Sequence, residues 1–269
     1  MARIRILMDN TAAAPGFGFQ WGLAMAVELD NGRLWLWDTG LDGLFLETAA
    51  KLGVDVRRAD GLALSHGHYD HTGGLQALFD AGFRAPVFAH PDIVRTRYGW
   101  DEKKGELLSI GISGLIPEFR AVTGSLRLAP GLTMLSDIPR ADGQYQAVKT
   151  FCYDLDRSEP DPVADDASLV LDTARGPVLI LGCCHSGLAN TLDAARLRLG
   201  IQRFHAVLGG LHLYNAPPEA VEETVQALRD CGASLVAAGH CTGDAPLVAL
   251  ADRLDCEVLP LGTGRVFGF

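Results

Sequence analysis

Ser65-His-Gly-His-Tyr-Asp-His-Thr-Gly-Gly-Leu75 decides the reading of this chain. It follows Gly61-Leu-Ala-Leu-Ser65, a short apolar run of strand type, so its polar side chains emerge where a strand ends and a turn can aim several into one space. Four potential metal ligands fall within six residues: His66, His68, Asp70 and His71. Neutral imidazoles and a carboxylate suit a borderline divalent ion such as zinc. The pair His66 and His68 can converge on one ion while Asp70 and His71 reach a second. Gly67, Gly73 and Gly74 let the backbone turn tightly beside them.

Outward from this segment, the chain alternates strands and helices. Arg3 to Met8, Leu23 to Leu29, Arg33 to Asp38, Gly61 to Ser65 and Pro86 to Ala89 read as strands, with helices over Leu41 to Leu52 and Thr72 to Phe79. The second half continues with strands at Ser168 to Asp172, Val178 to Leu181, Phe204 to Leu208, Leu235 to Ala238 and Glu257 to Leu259. Helices fall at Leu188 to Leu199, Pro217 to Cys231 and Ala245 to Leu254. Prolines open the second of these and Gly232 closes it. Two regions resist this reading. Asp92 to Leu126 is expected to be a long excursion, and Leu155 to Asp166, with Asp156, Glu159, Asp161, Asp165 and Asp166, a solvated loop. The pattern predicts an αββα sandwich, two sheets face to face with helices outside; a doubly wound parallel sheet is the alternative. One domain over 1-269 is expected at this length.

The 269 residues are 48% apolar and 21% charged, an ordinary globular balance. A formal charge of −10 argues against a nucleic-acid partner, because the surface offers no general attraction for phosphate backbones. No apolar run reaches the length of a membrane helix, and the residues from Met1 to Asn10 do not read as an export signal, so none is expected. A cytoplasmic protein acting on a small molecule is expected, with its six cysteines as reduced thiols.

The histidine segment resembles the His-x-His-x-Asp-His signature of the metallo-β-lactamase superfamily, and Leu36-Trp-Asp-Thr-Gly40 resembles the strand that precedes it there. Further pieces resemble one branch, the 7,8-dihydropterin-6-methyl-4-(β-D-ribofuranosyl)aminobenzene-5′-phosphate synthase-like proteins. They are Met8-Asp-Asn-Thr11, Leu181-Gly-Cys-Cys-His-Ser-Gly187, Gly209-Gly-Leu-His-Leu213 and Gly239-His-Cys-Thr-Gly243. The resemblance implies a metallo-β-lactamase-type sandwich and two divalent ions, zinc by ligand type with iron or manganese as alternatives. His240 matches the superfamily's last metal histidine. Where the superfamily commonly has Gly-Asp, this chain reads Gly182-Cys-Cys-His185, and no histidine lies between His90 and His185. His185 is the first choice to complete the site. Cys183 or Cys184 competes with it, although adjacent cysteines at an apolar strand end read as packed small hydrophobes.

His212 is expected at the same mouth as a substrate contact or proton donor, and Asp70 as a ligand that also accepts a proton from water. Asn10, Thr11, Cys241 and Thr242 are candidate substrate contacts, and Lys149 a cation that draws in an anion. His90 and His205 read as packing residues. Two ions so placed suit hydrolysis, or transfer with a pyrophosphate leaving group, on a phosphorylated small molecule. The rival readings are a generic metallohydrolase of an ester, thioester or lactam, and a non-catalytic metal-binding sensor.

Overall fold

The computed structural model of the protein describes residues 1–112, 114–115, 118–148 and 151–269. The first half gives β1 (Arg3–Met8), β2 (Ala24–Glu28), β3 (Leu34–Trp37), α1 (Leu44–Lys51), β4 (Gly61–Ala63), α2 (Tyr69–Thr72), α3 (Leu75–Asp80) and β5 (Val87–Ala89). Then come β6 (Tyr98–Asp101), β7 (Glu106–Ser109), β8 (Arg120–Ala121), β9 (Ser125–Ala129), β10 (Leu132–Leu135) and β11 (Phe151–Cys152). The second half has β12 (Ser168–Leu171), β13 (Val178–Leu181), α4 (Leu188–Leu199), β14 (Ala206–Gly209), α5 (Pro218–Cys231), β15 (Leu235–Ala238), α6 (Asp244–Arg253), β16 (Glu257–Pro260) and β17 (Val266–Gly268).

Two seven-stranded sheets run in the orders β17-β1-β2-β3-β4-β5-β8 and β16-β15-β14-β13-β12-β10-β9. Each is antiparallel at one end and parallel at the other, the change falling at β3 in the first and β13 in the second. A doubly wound parallel sheet is thereby set aside. Three apolar layers define the stack. One lies between the sheets and contains Trp35, Trp37, Met134 and Ile180. A second joins the β12–β15 face to α4, α5 and α6 through Leu188, Leu228 and Leu250. The third joins the first sheet to α1 and α3 through Phe45 and Leu78. Each such side chain, fully withdrawn from water, contributes about 1.5–3 kcal/mol. The four layers are α, β, β, α.

Two regions depart from the sequence reading. The Asp92 to Leu126 excursion is partly regular: β6 and β7 form a hairpin, β11 pairs with β6, and β8 joins the edge of the first sheet. The β9–β10 hairpin after it was not anticipated, although Ser125-Leu-Arg-Leu-Ala129 alternates and Pro130-Gly131 is turn chemistry. Leu155 to Asp166 is not a solvated loop along its length, because Asp161, Asp165 and Asp166 are buried. Asp161 and Asp165 face the fully buried Arg97, whose Nη1 lies 2.9 Å from Asp165 Oδ1 and whose Nε lies 3.5 Å from Asp161 Oδ2. A run of carboxylates reads as surface until its cation, some 60 residues earlier in the chain, is known.

The sheets are drawn together at one edge. Trp37 Nε1 donates to the Leu181 carbonyl across the sandwich at 3.1 Å. Gly182 follows immediately, and a Cβ there would collide with the Ser65 hydroxyl. Only a glycine lets the end of β13 approach the histidine segment this closely.

Candidate metal centre

Every candidate ligand sits just beyond the carboxyl end of a strand or on the segment that follows it, and both sheets contribute. His66, His68, Asp70 and His71 follow β4; Cys183 and His185 follow β13; His212 follows β14; His240 follows β15. Strand ends that turn sharply place several side chains in one space, and here the turns are strained. Asp38, Cys184, His212 and His240 all have positive φ, between 47° and 59°. Such residues each cost about 1–3 kcal/mol and persist where the surroundings hold them.

Ligand atoms of His66, His68 and His185 lie within 4.8 Å of one another, and so do those of Asp70, His71 and His240. The hydrogen bonds fix which nitrogens face inward. Ser65 Oγ donates to Asp38 Oδ2, so its oxygen is left to accept from His66 Nδ1 at 2.9 Å. His185 Nδ1 donates to the Ala147 carbonyl at 2.8 Å, and His71 Nδ1 donates to Asp38 Oδ2 at 2.7 Å. Asn10 Nδ2 donates to the His240 carbonyl, which turns its Oδ1 to accept from His240 Nδ1 at 3.1 Å. Each ring therefore carries its proton on Nδ1 and presents Nε2 to the centre, the arrangement that orients metal-binding imidazoles. The Nε2 atoms of His66, His68 and His185 are buried and have no hydrogen-bond partner among the described residues. Three buried, orphaned acceptors converging on one point are costly without a cation and well matched to one.

The second group is tighter. His71 Nε2 lies 3.1 Å from His240 Nε2 and 3.2 Å from Cys183 Sγ, and Asp70 Oδ2 lies 3.4 Å from His240 Nε2. Nitrogen ligands on a tetrahedral zinc stand about 3.3 Å apart. These spacings fit a shared cation.

Charge follows from burial. Loss of water holds His66, His68, His185 and His240 well below the ordinary histidine range, with neighbouring positive groups adding to the effect, so these rings stay neutral and free to donate a lone pair. Burial pushes His71 the same way. The Asp38 and Asp70 carboxylates outweigh it and raise His71 to about 9. Without a cation this favours a second proton on His71, which a cation between His71 and His240 would displace. At pH 7.5 metal binding should release about one proton from His71, so apparent affinity should rise with pH by up to tenfold per unit until about pH 9. Calorimetry in buffers of different ionisation enthalpy measures this; no proton release would contradict it.

The two adjacent cysteines part company. Cys184 Sγ lies 3.6 Å from Thr191 Oγ1 and packs against α4, as a buried small hydrophobe. Cys183 instead belongs with the imidazoles, and its Sγ also groups with Cys241 and with His185 and His212. Dihedrals decided this: the left-handed Cys184 turns one side chain in and the other out.

A cavity of about 600 Å³ opens on this centre, with His68, Asp70, Cys183, His212, His240 and Cys241 on its inner surface. His212 Nδ1 is buried without a partner among the described residues, and its ring centroid lies 4.4 Å from that of His185. Of the four expected substrate contacts, only Cys241 lines this cavity. Asn10 is engaged with His240 and with the Gly22 amide, Thr242 Oγ1 accepts from the Leu211 amide, and Thr11 Oγ1 donates to Asp9. Their polar atoms hold the backbone in place, as Asn and Thr commonly do in turns. Lys149 lies outside the described residues. His90 bonds Asp137 at 2.8 Å, away from the centre.

Supporting residues that the sequence reading did not single out are Asp9, Asp38, Ser65 and Asp165. Asp9 Oδ1 accepts from the His240 amide at 2.8 Å, and Asp165 Oδ2 accepts from the Gly67 amide at 2.7 Å. Asp38 lay in plain view within Asp-Thr-Gly, and Asp9 ends an apolar strand just as the histidine segment follows one. Asp165 carried no local signal.

Comparison with known proteins agrees with this geometry. Residues 22–140 match the metallo-beta-lactamase superfamily. A 7,8-dihydropterin-6-methyl-4-(beta-D-ribofuranosyl)-aminobenzene-5'-phosphate synthase of Methanocaldococcus jannaschii is 28% identical over 242 residues, covering 84% of this chain and 82% of the relative. An uncharacterized protein of the same organism is 28% identical over 256 residues, covering 92% and 93%. Among solved structures, a metal-dependent hydrolase of the beta-lactamase superfamily superposes with a TM-score of 0.86 over 100% of this chain and 99% of its own, at 24% identity. The histidine segment thus lies inside the region that matches the metallo-beta-lactamase superfamily, and the chain as a whole is similar in sequence to the dihydropterin-ribofuranosylaminobenzene-phosphate synthase and in fold to the metal-dependent hydrolase.

Proposed function

We propose that this protein is a metal-dependent enzyme that acts on a phosphorylated or pyrophosphorylated small molecule, by assisted transfer or hydrolysis, with residues 1-269 working as one cytoplasmic unit. The observation that carries the reading is the pair of ligand groups opening on one cavity. A closed structural site would need four ligands and no cavity. In this reading His66, His68 and His185 hold one ion, and Asp70, His71 and His240 the other, joined by Cys183. Two divalent cations there, zinc by ligand type or iron or manganese, would supply Lewis-acid stabilisation of charge on phosphoryl oxygens and make water more acidic near neutral pH.

The chain's own residues do the rest. Asp70, on the cavity side of His71, accepts a proton from the attacking group. His212, whose Nδ1 has no partner among the described residues, holds or returns a proton to the leaving oxygen. Asp38 fixes His71, Asn10 fixes His240 and Ala147 fixes His185, so the inward nitrogens need no rearrangement. The pterin element comes from the 28% identical M. jannaschii synthase, and it sets the choice of substrate to test.

The test is turnover and binding of a pterin diphosphate by metal-loaded and chelator-stripped protein. Loading should be required for both, because the net charge of −10 gives an anion no other general attraction. β-Lactams should be poor substrates. Equal affinity in the two forms, or lactam hydrolysis in preference to phosphorylated compounds, would reject the phosphate reading.

A further inference from the structure

The mouth of the cavity differs from its inner surface. Trp21 precedes β2, Tyr69 stands on the histidine segment, Trp100 on the β6–β7 hairpin and Tyr214 on the segment after β14, and all four line the same opening. Trp21, Tyr69 and Tyr214 are 44%, 37% and 49% exposed, and they are three of the four large aromatics exposed among the described residues. Four distant stretches of chain bring aromatic area to one rim, three of the rings exposed and Trp100 half-buried. Such area is costly to expose singly and is typical of sites that recognise ligands. The rings are also held. Trp21 packs on His240 at 5.4 Å and edge-on to Tyr214 at 6.2 Å, while the Arg157 guanidinium lies over the Trp100 ring at 4.8 Å.

Charge gives the rim a direction. Asp101, Glu102 and Lys103 line it at the hairpin turn, and Asp101 Oδ1 is occupied by the amides of Lys103 and Lys104. Glu102 remains exposed. The exposed Glu102 carboxylate offers acceptors at the mouth and suits an uncharged ring bearing N–H donors.

We propose that Trp21, Tyr69, Trp100 and Tyr214 form a stacking subsite that takes the planar, N–H-bearing heteroaromatic body of the substrate at the mouth, with its anionic end directed inward. The inward placement of phosphate rests on the function proposed above; the aromatic subsite does not.

The test uses full-length, metal-loaded protein with two separate probes, an unphosphorylated pterin and inorganic pyrophosphate, followed by tryptophan-fluorescence quenching and calorimetry. The pterin should bind, and Trp100→Ala and Trp21→Ala should each weaken it about tenfold, as loss of one stacking ring does. Trp100→Phe, which keeps a ring, should recover most of that loss, and pyrophosphate should bind the variants about as it binds the parent. Thermal melting of each variant separates loss of the subsite from loss of the fold, and Tyr214→Ala replaces any variant that melts early. No pterin binding, or equal pterin binding by parent and alanine variants, overturns the subsite. Pterin binding without pyrophosphate binding upholds it and rejects the phosphate reading of the inner centre.

Discussion

His185→Ala protein is expected to retain about one divalent ion per chain after desalting, where the unaltered protein retains two, with affinity at the emptied position lowered by more than about 100-fold. Outer partners of a metal histidine alone are worth about 10–100-fold in affinity, and His185 contributes the nitrogen itself. Its Nδ1 is tied to Ala147 and its Nε2 is one of three orphaned acceptors, so the ring is held in place to face the ion. The matched control is Cys184→Ser. That thiol packs against α4 beside Thr191, and its replacement should leave the metal content unchanged. Cys183→Ser falls between, weakening the ion near His71 because the sulfur lies 3.2 Å from His71 Nε2. Elemental analysis of the three variants reads the result directly. Two ions retained by His185→Ala would remove it from the ligand set.

Arg97→Met should lower stability by about 3–5 kcal/mol, the cost of leaving a buried carboxylate without its cation. Arg97 is fully buried with Asp161 and Asp165, and its Nη2 also donates to the Asp92 carbonyl at 3.1 Å. Removing it strands two carboxylates. The effect should reach the metal centre, since Asp165 also accepts from the Gly67 amide between His66 and His68. Arg97→Lys keeps the charge but loses the fork that serves both acids, and should fall between the two. Urea unfolding with the ions present and absent measures both parts. An unchanged midpoint for Arg97→Met would show that the acidic segment does not depend on this pairing.

The legible and illegible parts of the fold divide along physical lines. Strands such as Arg3–Met8, Val178–Leu181 and Leu235–Ala238, and the helix Leu188–Leu199, have the bounds read from the chain, because apolar period and glycine stops are local. The β6–β7 hairpin and its pairing with β11 were not, since Tyr98 to Ser109 mixes charge and aromatics and finds its partner some 50 residues away. At the site, His66, His68, Asp70 and His71 were conspicuous because four ligands share one turn. His185 and His240 stood alone at strand ends, and the resemblance of their surrounding motifs was needed to mark them. The inward turn of Cys183 and the outward turn of Cys184 depended on a left-handed residue, which composition does not encode. Asn10, Thr11 and Thr242, read from the sequence as substrate contacts, do not line the cavity, and their hydrogen bonds go to His240 and the Gly22 amide, to the Asp9 carboxylate and to the Leu211 amide.

A two-ion centre can be seen by anomalous diffraction at the metal absorption edge from crystals of the metal-loaded protein. Two peaks are expected. One should lie within bonding distance of the Nε2 atoms of His66, His68 and His185, and the other within bonding distance of Asp70, His71 and His240 with Cys183 beside it. A single peak, or peaks bound to other residues, would contradict it.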